Sequence, residues 1–186
     1  WYNKIEKPLC RKEGAAMPKE KALIEAMKQG SEEAFEEIYY RYQNLVYFVI
    51  YDILKNRSSS EEVMQDTFLK MYQNIHSFDG RYFQAWLLKI AKNLAINRYK
   101  QEPKMVELAD YAAVDQCDQK SNTLEMMREL ESILSPNEYQ VVILTIVYNM
   151  KQKDIAQYLD KPIGTVSWLY SQGIKKLKKY YQKGER

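Results

Sequence analysis

The segment from residue 152 to residue 181 constrains the fold more than any other part of this chain of 186 residues. It holds two stretches with helical spacing of apolar residues, separated by the run Asp160-Lys161-Pro162-Ile163-Gly164. The apolar positions are Ile155, Ala156 and Leu159 in the first stretch, and Val166, Tyr170, Gly173 and Leu177 in the second. Proline and glycine favour turns over helix interiors. The pattern therefore predicts a helix-turn-helix in which Thr165 caps the second helix.

Charge is distributed unevenly along the chain. Residues 151–183 contain eight lysines and two aspartates, a net charge of +6. Residues 81–104 contain six basic residues and one acidic residue, whereas residues 106–138 contain eight acidic and two basic residues. Two basic blocks on either side of an acidic stretch indicate two nucleic-acid-facing modules joined by a connector that avoids the duplex.

Helical spacing of apolar residues extends over most of the remaining chain. We predict helices over 22–28, from the cap Ser31 to about 54, from the cap Ser60 to about 74, and from about 82 to 100. Ser135 and Pro136 begin a further helix. No window alternates as a strand does. The predicted fold class is all α, with two small helical domains over 20–102 and 122–183, a flexible linker over 103–121 and a disordered extension over 1–19.

The residue types exclude several functional classes. Cys10 and Cys117 are the only cysteines and His76 is the only histidine, so we expect no disulfide framework, no metal site and no cofactor. The chain offers no catalytic triad and no glycine-rich phosphate loop, and we expect it not to be an enzyme. No apolar run approaches the roughly 18 residues of a membrane span, and no signal peptide is evident. We therefore expect a cytoplasmic protein without membrane insertion.

Seven short motifs give the chain a family resemblance. The first domain contains Ala34-Phe35-Glu36-Glu37-Ile38-Tyr39, a run over 60–72, Phe78-Asp79-Gly80 and a run over 83–93. These resemble, in order and spacing, the promoter-melting domain of bacterial sigma factors of the extracytoplasmic-function (ECF) type. Leu134-Ser135-Pro136, Asp154-Ile155-Ala156 and Gly164-Thr165-Val166 resemble the second domain of the same family. The resemblance covers about 20–182 and implies an initiation factor that binds core RNA polymerase and promoter DNA.

The resemblance also implies three sets of site residues. The clamp helices of the polymerase β′ subunit would contact an acidic and apolar face made of Glu61, Glu62, Gln65, Asp66, Phe68, Leu69 and Tyr72. The −10 element would contact Phe78, Asp79, Gly80, Arg81, Tyr82, Asn93, Asn97, Arg98 and Lys100, with Phe78 and Asn93 capturing a flipped base. The −35 element would contact Lys153, Thr165, Ser167, Trp168, Ser171, Gln172, Lys175 and Lys176. The β flap of the polymerase and an anti-sigma protein are further implied partners.

Two departures from the family leave alternatives open. The loop after Phe78 is one residue shorter than usual, so the identity of the captured base is open. The family commonly carries Lys-Ser-Arg after Gly-Thr-Val and an arginine farther on, where this chain has Ser167, Trp168, Leu169 and Gln172. Fewer arginines predict a different or weaker reading of the −35 element. Leu169 is expected to turn inward, and Trp168 either packs on thymine methyl groups or is covered by a partner such as an anti-sigma protein.

Several simpler interpretations compete with these assignments. From the residues alone, the acidic face is a solvated helix surface, Phe78 is a core residue and Asn93 is an exposed helix residue. A second candidate function is a dimeric helix-turn-helix regulator that binds duplex operators without polymerase. It would need a sustained apolar dimerisation seam, and Ile174, Leu177 and Tyr181 form only a short one.

Overall fold

The computed structural model describes residues 20–101 and 128–184, and all regular structure in these ranges is helical. The N-terminal half comprises α1 (Glu20–Lys28), α2 (Glu32–Leu54), α3 (Arg57–Gln73), a 3₁₀ turn (Ile75–Ser77) and α4 (Phe83–Gln101). The C-terminal half comprises helical turns over 128–133, then α5 (Pro136–Ile146), α6 (Gln152–Leu159) and α7 (Ile163–Gly184). The all-α prediction is confirmed. The predicted extension over 1–19 and linker over 103–121 lie outside the described residues.

The ends of α2 and α3 are fixed by local hydrogen bonds. The Ser31 hydroxyl accepts from the backbone N–H of Ala34 at 3.2 Å, so Ser31 caps α2 as predicted. The cap of α3 is Asn56, whose side chain accepts from the N–H of Ser59 at 2.9 Å. The prediction that Ser60 caps this helix is wrong, because Asn56 begins the helix one turn earlier. Ser60 is buried, and its hydroxyl donates to the carbonyl of Asn56 at 2.5 Å.

The helix-turn-helix forms where the sequence predicts it, with one difference at the cap. Asp160 ends α6 in the left-handed conformation, with a φ of 52°. The carbonyl of Pro162 accepts from the N–H groups of Thr165 and Val166 at 3.0 and 3.2 Å. The helix therefore starts at Ile163, and Thr165 lies in its first turn rather than at its cap.

The two halves pack directly against each other. Lys89 on α4 donates to the carboxylate of Asp160 at 2.7 Å. The ammonium group of Lys92 lies 5.6 Å from the ring centre of Tyr158 on α6. Phe48 of α2 contacts the rings of Tyr139 and Tyr148 from the C-terminal half. As a result, one buried apolar cluster continues from α1–α4 into α5, α6 and α7.

Membrane-spanning helices and metal-binding clusters are both absent from residues 20–101 and 128–184. None of the helices there combines the length and the apolar character needed to cross a membrane. Over the same two ranges, no group of three or more histidine, cysteine, aspartate or glutamate residues is arranged to hold a metal ion.

Candidate nucleic-acid and partner interfaces

The exposed face of α3 combines carboxylates with large apolar side chains. Glu61, Gln65, Leu69 and Tyr72 follow one another at intervals of three or four residues, and all four are exposed. Leu69 is 56% exposed, which is high for a leucine. A mixed surface of this kind is typical of a transient protein interface, with apolar anchors surrounded by charge.

Two other acidic residues lie beside this stripe. Glu62 and Asp66 are exposed on the same helix. Glu62 is bound to the guanidinium of Arg98 on α4, and Glu61 accepts from Arg57 at 2.9 Å. Two of the acidic residues therefore form ion pairs within the molecule, and the pair of Glu62 with Arg98 connects α3 to α4.

Phe68 is not part of this face. Its side chain is 2% exposed and its ring centre lies 4.7 Å from that of Tyr39 on α2. The expectation that Phe68 contacts a partner is wrong because α3 directs this position into the core, at right angles to Leu69.

The loop before α4 lines a cleft shared with the helix-turn-helix. The cleft has a volume of about 210 Å³. Its walls are Ser77, Phe78, Asp79, Arg81, Tyr82, Trp86, Lys89 and, from α6, Gln157. Gly80 and Tyr82 both have positive φ angles, of 83° and 57°. The tight loop is closed by Asp79, whose carboxylate accepts from the backbone N–H of Arg81 at 2.9 Å.

Phe78 lies at the bottom of this cleft rather than on the surface. It is 5% exposed and its ring packs 4.9 Å from Trp86 and 5.5 Å from Phe83, centre to centre. An exposed stacking face for Phe78 is therefore not present in this arrangement, because its neighbours cover the ring. The exposed aromatic side chain of the loop is Tyr82.

The outer face of α4 carries polar and basic side chains. Asn93, Asn97 and Lys100 are exposed. Asn93 and Asn97 are four residues apart, so their amides lie on one face of the helix. Arg98 is half-buried through its ion pair with Glu62. The amides and the cation are suited to contact nucleic acid bases and phosphates.

The recognition helix α7 presents most of the predicted −35 residues to solvent. Thr165, Trp168, Ser171, Lys175 and Lys176 are exposed, as is Lys153 on α6. Leu169 is buried, which confirms that it turns inward. Ser167 and Gln172 are half-buried, and the hydroxyl of Ser167 donates to the Gln152 side chain at 2.6 Å.

Lys176, a predicted DNA contact, forms an ion pair within the molecule. The Nζ of Lys176 donates to the carboxylate of Glu138 at 2.7 Å, and that carboxylate is 6% exposed. Burial alone raises the pKa of Glu138, but the hydrogen bonds from Lys176 and Ser135 outweigh burial and hold the pKa below its usual value. This ion pair, buried on its Glu138 side, attaches α7 to the start of α5.

Lys89 and Gln157 are two cleft residues that the sequence does not predict. Lys89 and Gln157 line the cleft, and Lys89 meets Asp160 from 71 positions away in the chain. Local sequence patterns carry no signal for a pair at that separation, because the contact depends on how the two halves pack.

Both halves of the chain match models of known protein families. Residues 38–104 match the model for sigma-70 region 2, and residues 132–179 match the model for sigma-70 region 4. The two matches fall on the two helical halves and in the order that the motifs predict. The chain therefore belongs to the sigma-70 family of RNA polymerase sigma factors.

Two individual relatives and one solved structure are similar to most of this chain. The ECF sigma factor SigW of Bacillus subtilis is 29% identical, with 86% of this chain and 95% of SigW covered. The ECF sigma-E factor of Haemophilus influenzae is 28% identical over 79% of this chain and 87% of its own length. The fold is similar to that of CnrH in a structure of CnrH with the cytosolic domain of CnrY, with a TM-score of 0.61 and 20% identity over 88% of this chain and 97% of CnrH. The relatives place the chain in the ECF group of the family.

Proposed function

We propose that this chain binds core RNA polymerase through α3, holds an unpaired base of the −10 element beside α4, and reads the −35 element with α7. It acts as an initiation factor: it selects the promoter and assists strand opening, while the polymerase carries out the chemistry. The observation that carries the proposal is the coincidence of the region 2 and region 4 matches with two helical halves that display an acidic and apolar face, a polar cleft and a basic recognition helix.

The polymerase contact is assigned to Glu61, Gln65, Asp66, Leu69 and Tyr72. Leu69 and Tyr72 supply apolar area that becomes buried on binding, and the neighbouring acids complement a basic helical partner such as the β′ clamp helices. By the family resemblance, the β flap meets the C-terminal half.

The −10 contact is assigned to the loop over 78–82 and to the outer face of α4. Separated strands expose bases that need a stacking surface and a hydrogen-bonding group. Tyr82 supplies an exposed ring at the cleft, and Phe78 lies beneath it. Asn93 lies about three turns farther along α4, outside the cleft lining, and supplies an amide for a neighbouring base.

We also infer a cytoplasmic location, where the polymerase acts, and regulation by an anti-sigma protein. A regulator that works without polymerase is not favoured, because region 2 would then have no role. It would also need a dimerisation surface that the short seam of Ile174, Leu177 and Tyr181 does not supply.

The test is transcription by core RNA polymerase supplemented with the purified chain. The proposal predicts specific transcripts that core enzyme alone does not produce. The double variant Asp66→Lys with Leu69→Ala should bind core polymerase at least tenfold more weakly, since it removes one apolar anchor and reverses one interfacial charge. Binding is measured by competition against the wild-type chain.

The matched control is Glu25→Lys, which makes the same charge change at an exposed position on α1, a helix assigned to no contact. It should compete as well as the wild type. If the double variant keeps its helical content and still competes as well as the wild type, α3 is not the polymerase contact.

A further inference from the structure

The outward face of α7 has an unusual composition for a helix that reads DNA. From Ile163 to Gly184 it contains no arginine. Successive turns of its exposed face carry Trp168, then Ser171 and the half-buried Gln172, then Lys175. The opposite face, with Val166, Leu169 and Leu177, is buried against α5 and α6. Trp168 is the largest side chain on the exposed face.

The hydrogen-bonding capacity near Trp168 is limited. The hydroxyl of Ser167 is already donated to Gln152. The indole of Trp168 has a single N–H donor and otherwise offers apolar ring surface. Such a surface cannot make the bidentate contact to guanine that arginine makes, but it can contact the C5 methyl group of thymine in the major groove.

The surroundings of the ring favour DNA over an apolar protein surface. Trp168 is 59% exposed. Lys153 on α6 and Lys175 on α7 are exposed in the same helix-turn-helix, within a segment whose net charge is +6. A duplex supplies both complements at once, namely phosphates for the lysines and groove methyl groups for the ring.

We propose that Trp168 is a specificity-determining residue that contacts a thymine methyl group in the −35 element, so that this element is selected by A·T pairs rather than by guanine. Gln172 lies one helical turn farther on, about 6 Å along the axis of α7. A glutamine pairs with the N6 and N7 atoms of adenine. The element is therefore expected to hold a thymine and, close to it, an adenine. This inference rests on the proposed reading of the −35 element by α7.

The experiment begins with the full chain bound to core polymerase and a library of promoters randomised upstream. The enriched element is then made as duplex probes in which each thymine is replaced singly by deoxyuridine, which lacks only the methyl group. At one position the replacement should weaken wild-type binding about fourfold, the equivalent of about 0.8 kcal/mol for burying one methyl group. Trp168→Ala should bind the thymine and uracil probes equally.

Two variants serve as controls. Tyr180→Ala removes another exposed aromatic side chain, 49% exposed and about 18 Å farther along the same helix, and should keep the wild-type ratio of thymine to uracil affinity. Trp168→Phe retains an aromatic ring and should keep part of that ratio. If Trp168→Ala fails to fold, probes with 5-bromodeoxyuridine at the critical position provide an independent measurement. Ultraviolet light should then crosslink the wild-type peptide that contains Trp168.

The outcomes separate this inference from the proposed function. Sequence-selective binding with no position sensitive to uracil, or a crosslink to another peptide, would overturn the role of Trp168 while leaving the sigma function intact. An element fixed by guanine would do the same, as would Trp168→Ala binding DNA normally but losing a protein partner. Failure of the wild-type chain to bind polymerase or to enrich any promoter would instead contradict the proposed function itself.

Discussion

Glu138 stabilises two helices, because it closes the start of α5 and binds a lysine of α7. It is 5% exposed, it accepts from the backbone N–H of Ser135 at 2.9 Å, and it binds Lys176 at 2.7 Å. The first contact closes the N-terminus of α5, and the second fixes α7. A buried carboxylate without these partners would be strongly destabilising.

The Glu138 pair predicts a dependence of stability on pH. The pKa of Glu138 is lower in the folded chain than its ordinary value of 4.5, so its stabilising contribution is complete above that value and is lost as the pH falls through the folded pKa. The Glu138→Gln variant cannot ionise. Its melting temperature should therefore fall less than that of the wild type between about pH 5.5 and pH 3.

Thermal melts at several pH values measure this difference. Glu131→Gln, at an exposed position, is the control and should follow the wild type. Parallel curves for Glu138→Gln and the wild type would contradict the assigned ion pair.

At the scale of elements, the contact between α5 and α7 depends on a glycine. A Cβ atom built on Gly173 would lie 2.7 Å from Cγ2 of Val142 and 3.7 Å from the side chains of Glu138 and Leu134. The first distance is shorter than any normal contact between carbon atoms, so the two helices approach as closely as they do only because position 173 lacks a side chain.

Gly173→Ala is expected to lower the free energy of unfolding by about 1–3 kcal/mol through overpacking, although alanine favours a helix by about 1 kcal/mol over glycine. Gly164→Ala is the matched control on the same helix, because nothing lies within 4 Å of its added Cβ. That variant should be neutral or slightly stabilised.

Chemical denaturation measures both substitutions. Adding Val142→Ala to Gly173→Ala should recover part of the loss, since it removes the atom that clashes. Equal effects of the two glycine substitutions would show that helix propensity, and not packing, governs the position.

At the scale of the whole molecule, substitutions in the two proposed DNA contacts should impair different steps of transcription initiation. Asn93 lies on α4 and Gln172 on α7. Asn93→Ala removes a hydrogen-bonding partner of an unpaired base and should slow strand opening about tenfold, in line with the roughly 1–3 kcal/mol of a bidentate amide contact to a base. Gln172→Ala should instead change which upstream sequence is preferred.

A promoter already opened around the −10 element distinguishes the two steps. Transcription by the Asn93→Ala variant should recover in part on this template, and transcription by the Gln172→Ala variant should not. Equal rescue of both variants would contradict the division of labour between the halves.

The packing of α4 against α6 carries a second consequence at this scale. Gln157 and the loop over 78–82 line one cleft, so the surface proposed for the −10 base faces the helix-turn-helix. The hydrogen bond from Lys89 holds the pKa of Asp160 below its ordinary value. Lys89→Glu places two negative charges together and should loosen the packing of the halves.

Small-angle scattering should detect that change as an increase in radius of gyration, largest at low salt because screening weakens exposed charges. An exposed ion pair contributes little to stability, so the shift in population should be modest. Adding Asp160→Asn removes the repulsion and should reverse the effect. Asparagine tolerates the left-handed φ of 52° at this position. Lys70→Glu, on α3, is the control for charge alone, and a matching expansion in that variant would argue against the Lys89 contact.

The sequence by itself determined the all-α class, the helix-turn-helix and the family. These depend on local signals: the spacing of apolar residues, the breakers at Pro162 and Gly164, and motifs in a fixed order. The inward turn of Leu169 followed from its place three residues after Val166. Errors in local prediction arose where two caps competed, since Asn56 rather than Ser60 begins α3.

Only the tertiary structure decided which side chains remain available for function. Phe68 and Phe78 have the chemistry of contact residues, yet neighbouring rings from α2 and α4 cover them. Lys176 is directed to Glu138, 38 positions away, and Lys89 meets Asp160 across the two halves. Burial and pairing between distant residues are properties of packed helices, and a local pattern cannot specify them because it does not fix which helices meet.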